Sequence, residues 1–568
     1  MLLPTLSKRN FSCTIHTLAF LLSLIYCDSF LLNKCMLSAP STRALRSFAI
    51  TNTCRETHCL IKGMTSQKKR NFQLFMSSES SGARNMNKPL VIIIAGPTAV
   101  GKSSIAAKIC KPEFATQVIE EHAKNNCIPK QDVKGIGQII SADSVQVYQG
   151  VQIGANKPSG KERAETPHHL IDIVDSKSVC QYNAADWMRD AMQVLDRITN
   201  LNAESGEEAI LDEDTKLRKA RIEQFLSENR QEENEVLPVI VGGTMMYLQW
   251  LVHGRPDAMK PSQDAIEMAA KAVAKFEAQD DEEGGWAAAE EHASSLGPLF
   301  EERVKKLPGK DWYRLRRTLE VAYTLLDDDD KEEKLKKLYN GQRQGGLDAS
   351  PLYDVRCFFL CPDDRMAHTA VVDSRCEDMI LKGLIKETTD LSLSGQLPED
   401  GQQARAIGYR QTIDLLKTKG SLDDKTFGAY LDEFTTSTRR YAKKQMQWFR
   451  KDERFVFVPV QLSQPSSLRV DDVANTIKQL CILPRQDFEK ELAPALICKT
   501  RAKANELSDE ESKLPLSART KLLNERQGKH MKFYQSKRHK LVLGSQKYDS
   551  ALKEAGECAE RMQAVLKE

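Results

Sequence analysis

The chain has 568 residues, 41% hydrophobic and 28% charged, which excludes both a mini-protein dependent on disulfide staples and a wholly disordered polymer. A net charge of +3 neither requires nor excludes a polyanionic partner, because a small sum can hide segregated charge. The 14 cysteines are scattered and never spaced C-x-x-C, so they read as reduced thiols and not as a disulfide framework.

Residues 1–88 hold twelve Lys or Arg against Asp28, Glu56 and Glu79, the composition of a targeting leader. Residues 18–27 (LAFLLSLIYC) form an apolar run too short to span a bilayer and preceded by Lys8 and Arg9, like a signal-peptide core. An acid-poor, Arg- and Ser-containing stretch follows to residue 53. That order predicts a two-part leader and a plastid destination, with a mitochondrial presequence as the competing reading and a start at Met36, Met64, Met76 or Met86 as another. No later segment reaches eighteen apolar residues, so the mature protein is expected to lie outside the membrane.

Residues 90–95 (LVIIIA) are continuously apolar and β-branched, as for a strand buried on both faces of a parallel sheet. Runs at 138–141, 170–174 and 237–241 alternate with helical patterns, which predicts a doubly wound α/β core over 89–254. Inside it, residues 202–235 are dominated by charge and read as a solvated helical insertion outside the core. Residues 255–350 read as an inserted helical domain. The chain then returns to the core over 351–462, with strand-like runs at 355–360 and 455–460. Residues 463–568 read as a charged extension, and 514–548 carry nine Lys or Arg against one Glu, the mark of a basic tail or appended module.

The pattern Gly96-x4-Gly101-Lys102-Ser103 comes directly after the first strand and before a helix, the context that makes it a phosphate loop. Backbone N–H groups of such a loop converge on an anion, Lys102 adds a positive charge, and the Ser103 hydroxyl is placed to bind Mg²⁺. Taken alone, the loop also suits an ATPase or kinase. Asp143, at the carboxyl end of the second apolar run, lies where open α/β sheets bind ligands; it also reads as the N-cap of the next helix.

Nine blocks in order carry a resemblance: GPTAVGKS (96–103), SADSVQVYQG (141–150), IGANKP (153–158), PHHLIDIV (167–174), YNAADW (182–187), VGGTMMYLQWL (241–251), YRLRRTLEV (313–321), AIGYRQ (406–411) and RRYAKKQMQWFR (439–450). Together they resemble the tRNA dimethylallyltransferase family, and GRPDAMKPS (254–262) resembles its bacterial-like branch in plants and algae. The resemblance implies a P-loop NTPase-like parallel-sheet core with an inserted helical domain. It also implies transfer of a dimethylallyl group from dimethylallyl diphosphate to N6 of adenosine 37, beside the anticodon of tRNA. An adenylate isopentenyltransferase, which prenylates free AMP, ADP or ATP, is the related alternative.

The family implies that Gly96, Pro97, Thr98, Ala99, Val100, Gly101, Lys102 and Ser103 hold the donor diphosphate, with Mg²⁺ on Ser103. Asp143 would be the general base, Thr244 would orient donor and acceptor, and Arg375 would neutralise the leaving diphosphate. Asp143, Ser144, Val145 and Gln146 would meet the target nucleotide. The segment Tyr313, Arg314, Leu315, Arg316 and Arg317, the AIGYRQ block, and the helix carrying Arg440, Lys443 and Lys444 would grip the anticodon stem–loop. Tyr441, Gln445 and Trp448 line a neighbouring face of that helix, where the two aromatics would stack or pack. Gln146 and Asn156 depart from the commonest family choices. His530 and His539 have no paired cysteines before them, so no structural zinc is expected. The expected partners are tRNA and the donor, and the expected state is a monomer.

Overall fold

A computed structural model describes residues 88–565, apart from 126–132, 178–181, 201–212, 232, 257–260, 280–283, 327, 329, 331–332, 336–342, 400, 419–421 and 493–503. The expected leader falls almost wholly outside the described residues. Eight strands follow in chain order: β1 Leu90–Ala95, β2 Gly135–Ala142, β3 His168–His169, β4 Glu235–Gly242, β5 Arg255–Pro256, β6 Arg343–Gln344, β7 Asp354–Pro362 and β8 Phe455–Val460. Six of them form one sheet in the order β3-β2-β4-β1-β7-β8, with parallel pairing throughout.

Strand β1 is buried at all six positions, and its period of two divides its side chains between layers. Val91, Ile93 and Ala95 enter the larger core with Trp187, Tyr247 and Leu248. Leu90, Ile92 and Ile94 enter the second core with Ile105, Ile109 and Ile477. Helices therefore cover both faces, which an all-parallel sheet requires.

The apolar run 170–174 does not extend the sheet as expected. The strand there is only His168–His169, because Leu170 and Asp172 both take φ 61, a left-handed backbone that no strand accommodates. Asp172 is drawn into that turn by ion pairs with Lys157 at 2.5 Å and Arg163 at 2.8 Å.

The charged segment 202–235 is likewise not all solvated. Its described residues include the helix Glu213–Glu228, whose Ile222 and Leu226 join the larger core. Arg218 Nε donates to buried Asp190 Oδ2 at 2.9 Å, and its guanidinium lies 5.2 Å from the Tyr182 ring centre. One apolar edge on an otherwise charged helix suffices to seat it.

Between β5 and β6, which pair antiparallel, stand the helices Gln263–Ala278, Gly285–Ser295, Pro298–Val304 and Trp312–Thr324. They close on a core of their own, with Ala269, Val273, Ala289, Leu315 and Leu319.

The basic extension is not an appended tail. Its helix Ser466–Cys481 supplies Val473 and Ile477 to the second core. The helix Leu516–His530 lies against β8, where the Phe457 N–H donates to Ser517 Oγ at 3.0 Å. The helix Gln546–Val565 sends Tyr548, Ala555 and Met562 into the larger core.

Candidate active site

The end of β1 turns sharply into the phosphate loop. A Cβ on Gly96 would meet Leu360 O and Val100 Cγ1 at 3.0 Å each, so any larger residue would have to push a neighbour aside by a few tenths of an ångström. Ala99 (φ 65) and Gly101 (φ 99) complete the turn, and Gly101 caps the helix Lys102–Ile109. The first turn of that helix therefore presents N–H groups without helical partners. Lys102 Nζ folds back to donate to Gly96 O and Pro97 O, each at 2.9 Å. Its pKa falls to about 7, chiefly through burial and then through Arg375, with Asp143 acting in the opposite sense.

Two side chains fix the Thr98 peptide from either side. The Thr98 N–H donates to Gln445 Oε1 at 2.9 Å, and Thr98 O accepts from His368 Nε2 at 2.8 Å. His368 is 1% exposed, and burial above all lowers its pKa to about 4. It is thus a neutral ring with its proton on Nε2.

Asp143 follows β2. Its Oδ1 accepts from the Val145 and Gln146 N–H groups at 2.9 and 3.3 Å, so it forms a turn and does not cap a helix. Its Oδ2 accepts no hydrogen bond from the described residues. Thr244 Oγ1 accepts from the Ser144 N–H at 3.0 Å and donates to Ser144 Oγ at 3.4 Å. Thr244 heads the helix Met245–His253 without capping it through its side chain. Its hydroxyl instead fastens the turn that holds Asp143. Gln445 Nε2 donates to Gly243 O at 2.8 Å, so Gln445 ties the 96–103 loop to the β4 turn. A Cβ at Gly243 would stand 2.4 Å from that nitrogen.

Arg375 projects from the helix Arg365–Leu381. Its guanidinium makes no hydrogen bond or ion pair with the described residues, and burial lowers its pKa. The cavity it lines has a volume of about 1080 Å³ and includes Thr98, Lys102, Ser103, Asp143, Gln146, Asn156, Lys157, Tyr441 and Gln445. Lys157 Nζ is held by Tyr148 O and Asp172 Oδ1, both at 2.5 Å.

Thr98, Lys102 and Ser103 of the loop thus share one cavity with Asp143, Gln146 and Arg375, while the Val100 side chain is buried in the second core. Thr244 and Ser144 support the cavity wall, while Val145 packs against the larger core. Tyr313 is 74% exposed on the helical unit, whereas Leu315 is 0% exposed in that unit's core, which corrects its reading as an RNA contact. Arg314 pairs with Asp311 at 3.2 Å, Arg316 with Glu320 at 3.1 Å, and Arg317 also with Glu320. Arg440, Lys443 and Lys444 are exposed and make no ion pair with the described residues.

The AIGYRQ block is corrected as well. Tyr409 is fully buried and donates to Glu387 Oε1 at 2.6 Å. Glu387 in turn accepts the Ile153 and Gly154 N–H groups, so the block shapes the 152–157 loop; of its polar side chains, only Arg410 is exposed. Sequence reasoning misses His368, and it places Gln445 only on a face beside the basic edge of its helix. The signal for Gln445 was the i, i+4 spacing of Tyr441 and Gln445 on a helix otherwise read for its basic edge.

A glycine-rich loop ending the central strand of a parallel sheet, with an unpartnered arginine and a carboxylate on the same cavity, defines a P-loop-like α/β protein. The family model described as IPP transferase matches residues 146–205 and 216–452. A tRNA dimethylallyltransferase of Arabidopsis thaliana is 31% identical over 391 residues, covering 65% of this chain and 70% of the relative. One from Protochlamydia amoebophila is 29% identical over 404 residues, covering 70% and 91%. The chain belongs to the IPP transferase family. Among solved structures, a tRNA isopentenylpyrophosphate transferase of Bacillus halodurans matches with TM-score 0.38 and 23% identity, covering 70% of this chain and 97% of that one. A eukaryotic dimethylallyltransferase described as acting on tRNA matches with TM-score 0.42 and 20% identity, covering 69% and 80%.

Proposed function

We propose that the protein transfers the dimethylallyl group of dimethylallyl diphosphate to N6 of adenosine 37 in tRNA, releasing diphosphate and leaving N6-isopentenyladenosine. The observation that carries this reading is the pairing of an unpartnered Arg375 with Asp143 across a phosphate-loop cavity, in a chain whose relatives are tRNA dimethylallyltransferases. Lys102, Arg375 and the first helical turn hold the diphosphate. Asp143 Oδ2 accepts a hydrogen bond from the exocyclic amine and takes its proton as the N6–carbon bond forms and the allylic carbon–oxygen bond breaks. The electron pair of that bond leaves with the diphosphate. The adenine must first swing out of its loop stack, which costs least in a single-stranded anticodon loop.

Among the described residues no three His, Cys, Asp or Glu gather as a metal cluster. A single hydroxyl, Ser103, beside a diphosphate nevertheless fits Mg²⁺, which takes few protein ligands and completes its shell with phosphate oxygens and water. Bound there, the ion would neutralise charge on the leaving group.

An adenylate acceptor would have little use for the helical unit or for exposed Arg440, Lys443 and Lys444. Purified protein from Met86 onward, given allylic donor, tRNA and AMP in one reaction, is expected to prenylate the tRNA. Prenylated AMP with unmodified tRNA would overturn the reading in favour of the adenylate enzyme. The leader reading places the protein in plastids, with mitochondria as the alternative; a fluorescent fusion of residues 1–88 tests it.

A further inference from the structure

The helix that brings Arg375 to the cavity also bears Asp373 and Glu377, both 0% exposed. Each lies about 200° of helical rotation from Arg375 and therefore on the opposite face. Buried carboxylates are costly unless fully bonded, and these two are bonded largely by the far end of the chain. Asp373 Oδ1 accepts from Arg439 Nη1 at 2.6 Å, while its Oδ2 accepts from Tyr534 OH at 2.6 Å and Ser536 Oγ at 3.3 Å. Glu377 accepts three successive backbone N–H groups, from His539 at 3.0 Å, from Lys540, and from Leu541 at 2.8 Å. Where the helix begins, the Arg365 N–H donates to Gln527 Oε1 at 3.0 Å, and Gln527 Nε2 donates to Asp363 O at 2.5 Å. All these C-terminal residues lie beyond residue 452, where the family match ends.

We propose that residues 527–541 are a strap that positions Arg375 for the donor diphosphate. By bonding Asp373 and Glu377 from behind, the strap fixes the rotation and depth of the helix, and with them the reach of the guanidinium. Tyr534 and Ser536 are positioning residues, since they act through Asp373 and touch no substrate. The proposal rests on the reading of Arg375 as a diphosphate ligand.

The test is Tyr534→Phe/Ser536→Ala in the chain from Met86 onward, with inorganic diphosphate as the probe in calorimetry. Diphosphate Kd and the KM for the allylic donor are expected to rise together by about ten-fold, as for a small misplacement of a positioned group, while tRNA affinity stays within two-fold. In an Arg375→Gln background the same pair should add nothing further to the diphosphate Kd, since the effect runs through Arg375. A folded variant with a lowered melting temperature and unchanged diphosphate Kd would overturn the proposal, as would full additivity with Arg375→Gln. Should the double variant fail to fold, Tyr534→Phe alone, which keeps the ring under Arg439, is read against the same outcomes. A wild-type protein that binds diphosphate but prenylates no tRNA would sink the functional reading and leave the strap standing.

Discussion

Asp143 commits one carboxylate oxygen to its own turn, and the other accepts no hydrogen bond from the described residues. Asp143→Asn keeps an oxygen for the Val145 and Gln146 N–H groups but loses basicity. Transfer should fall by about 10²–10⁴-fold with diphosphate affinity nearly unchanged, and turnover close to wild type would refute the general-base role. His368 offers a second residue-scale test, through stability. Its folded pKa of about 4 lies below the 6.5 of an unfolded histidine, so the unfolded chain binds more protons between those values. The stabilisation is complete above pH 6.5 and is lost as pH falls toward 4, about 3 kcal/mol in total at 1.36 kcal/mol per unit. Urea titrations across that window should show a steep pH slope in the wild type and a shallower one in His368→Gln; equal slopes would refute the assignment.

At the scale of elements, the helix Asp424–Arg450 carries the exposed cations Arg440, Lys443 and Lys444. Lys443→Ala/Lys444→Ala should weaken tRNA binding and reduce its logarithmic salt slope by about 0.7–0.9 for each phosphate no longer neutralised, leaving diphosphate affinity intact. A binding curve and salt slope matching wild type would remove this face from the RNA interface. Elements whose sequences state their own burial were legible: the runs at 90–95, 237–241, 355–360 and 455–460 all lie within strands of the central sheet. The phosphate loop was legible too, since its glycines answer to local backbone demands. The run 170–174 misled because its turn is imposed from a distance by Lys157 and Arg163. The 213–228 helix was hidden by charge, since a single Ile222/Leu226 edge seats it. In the C-terminal extension, basic composition obscured positions such as Leu541, which only the folded chain buries. Gln445 and His368 escaped for a related reason: each matters through a hydrogen bond to a backbone atom hundreds of residues away.

For the molecule as a whole, the C-terminal region completes a fold that the family match covers only to residue 452. Leu522, Leu541, Tyr548 and Met562 are all buried. At about 1.5–3 kcal/mol for each large apolar side chain, they contribute roughly as much as the net stability of a typical domain. A chain ending at residue 462 should therefore partition into the insoluble fraction, whereas one starting at Met86 should stay folded; a soluble, cooperatively melting truncation would contradict this. The 27-residue helix Asp424–Arg450 meets two selective demands on separate sides of one cylinder. Positions 441 and 445 turn inward and answer to the 96–103 loop and the β4 turn, while 440, 443, 444 and 447 face solvent. On the proposed function, a lineage could exchange the outward set to follow a changing pool of tRNAs while the inward pair is inherited unaltered. Substrate range and chemistry can then drift at different rates within a single element.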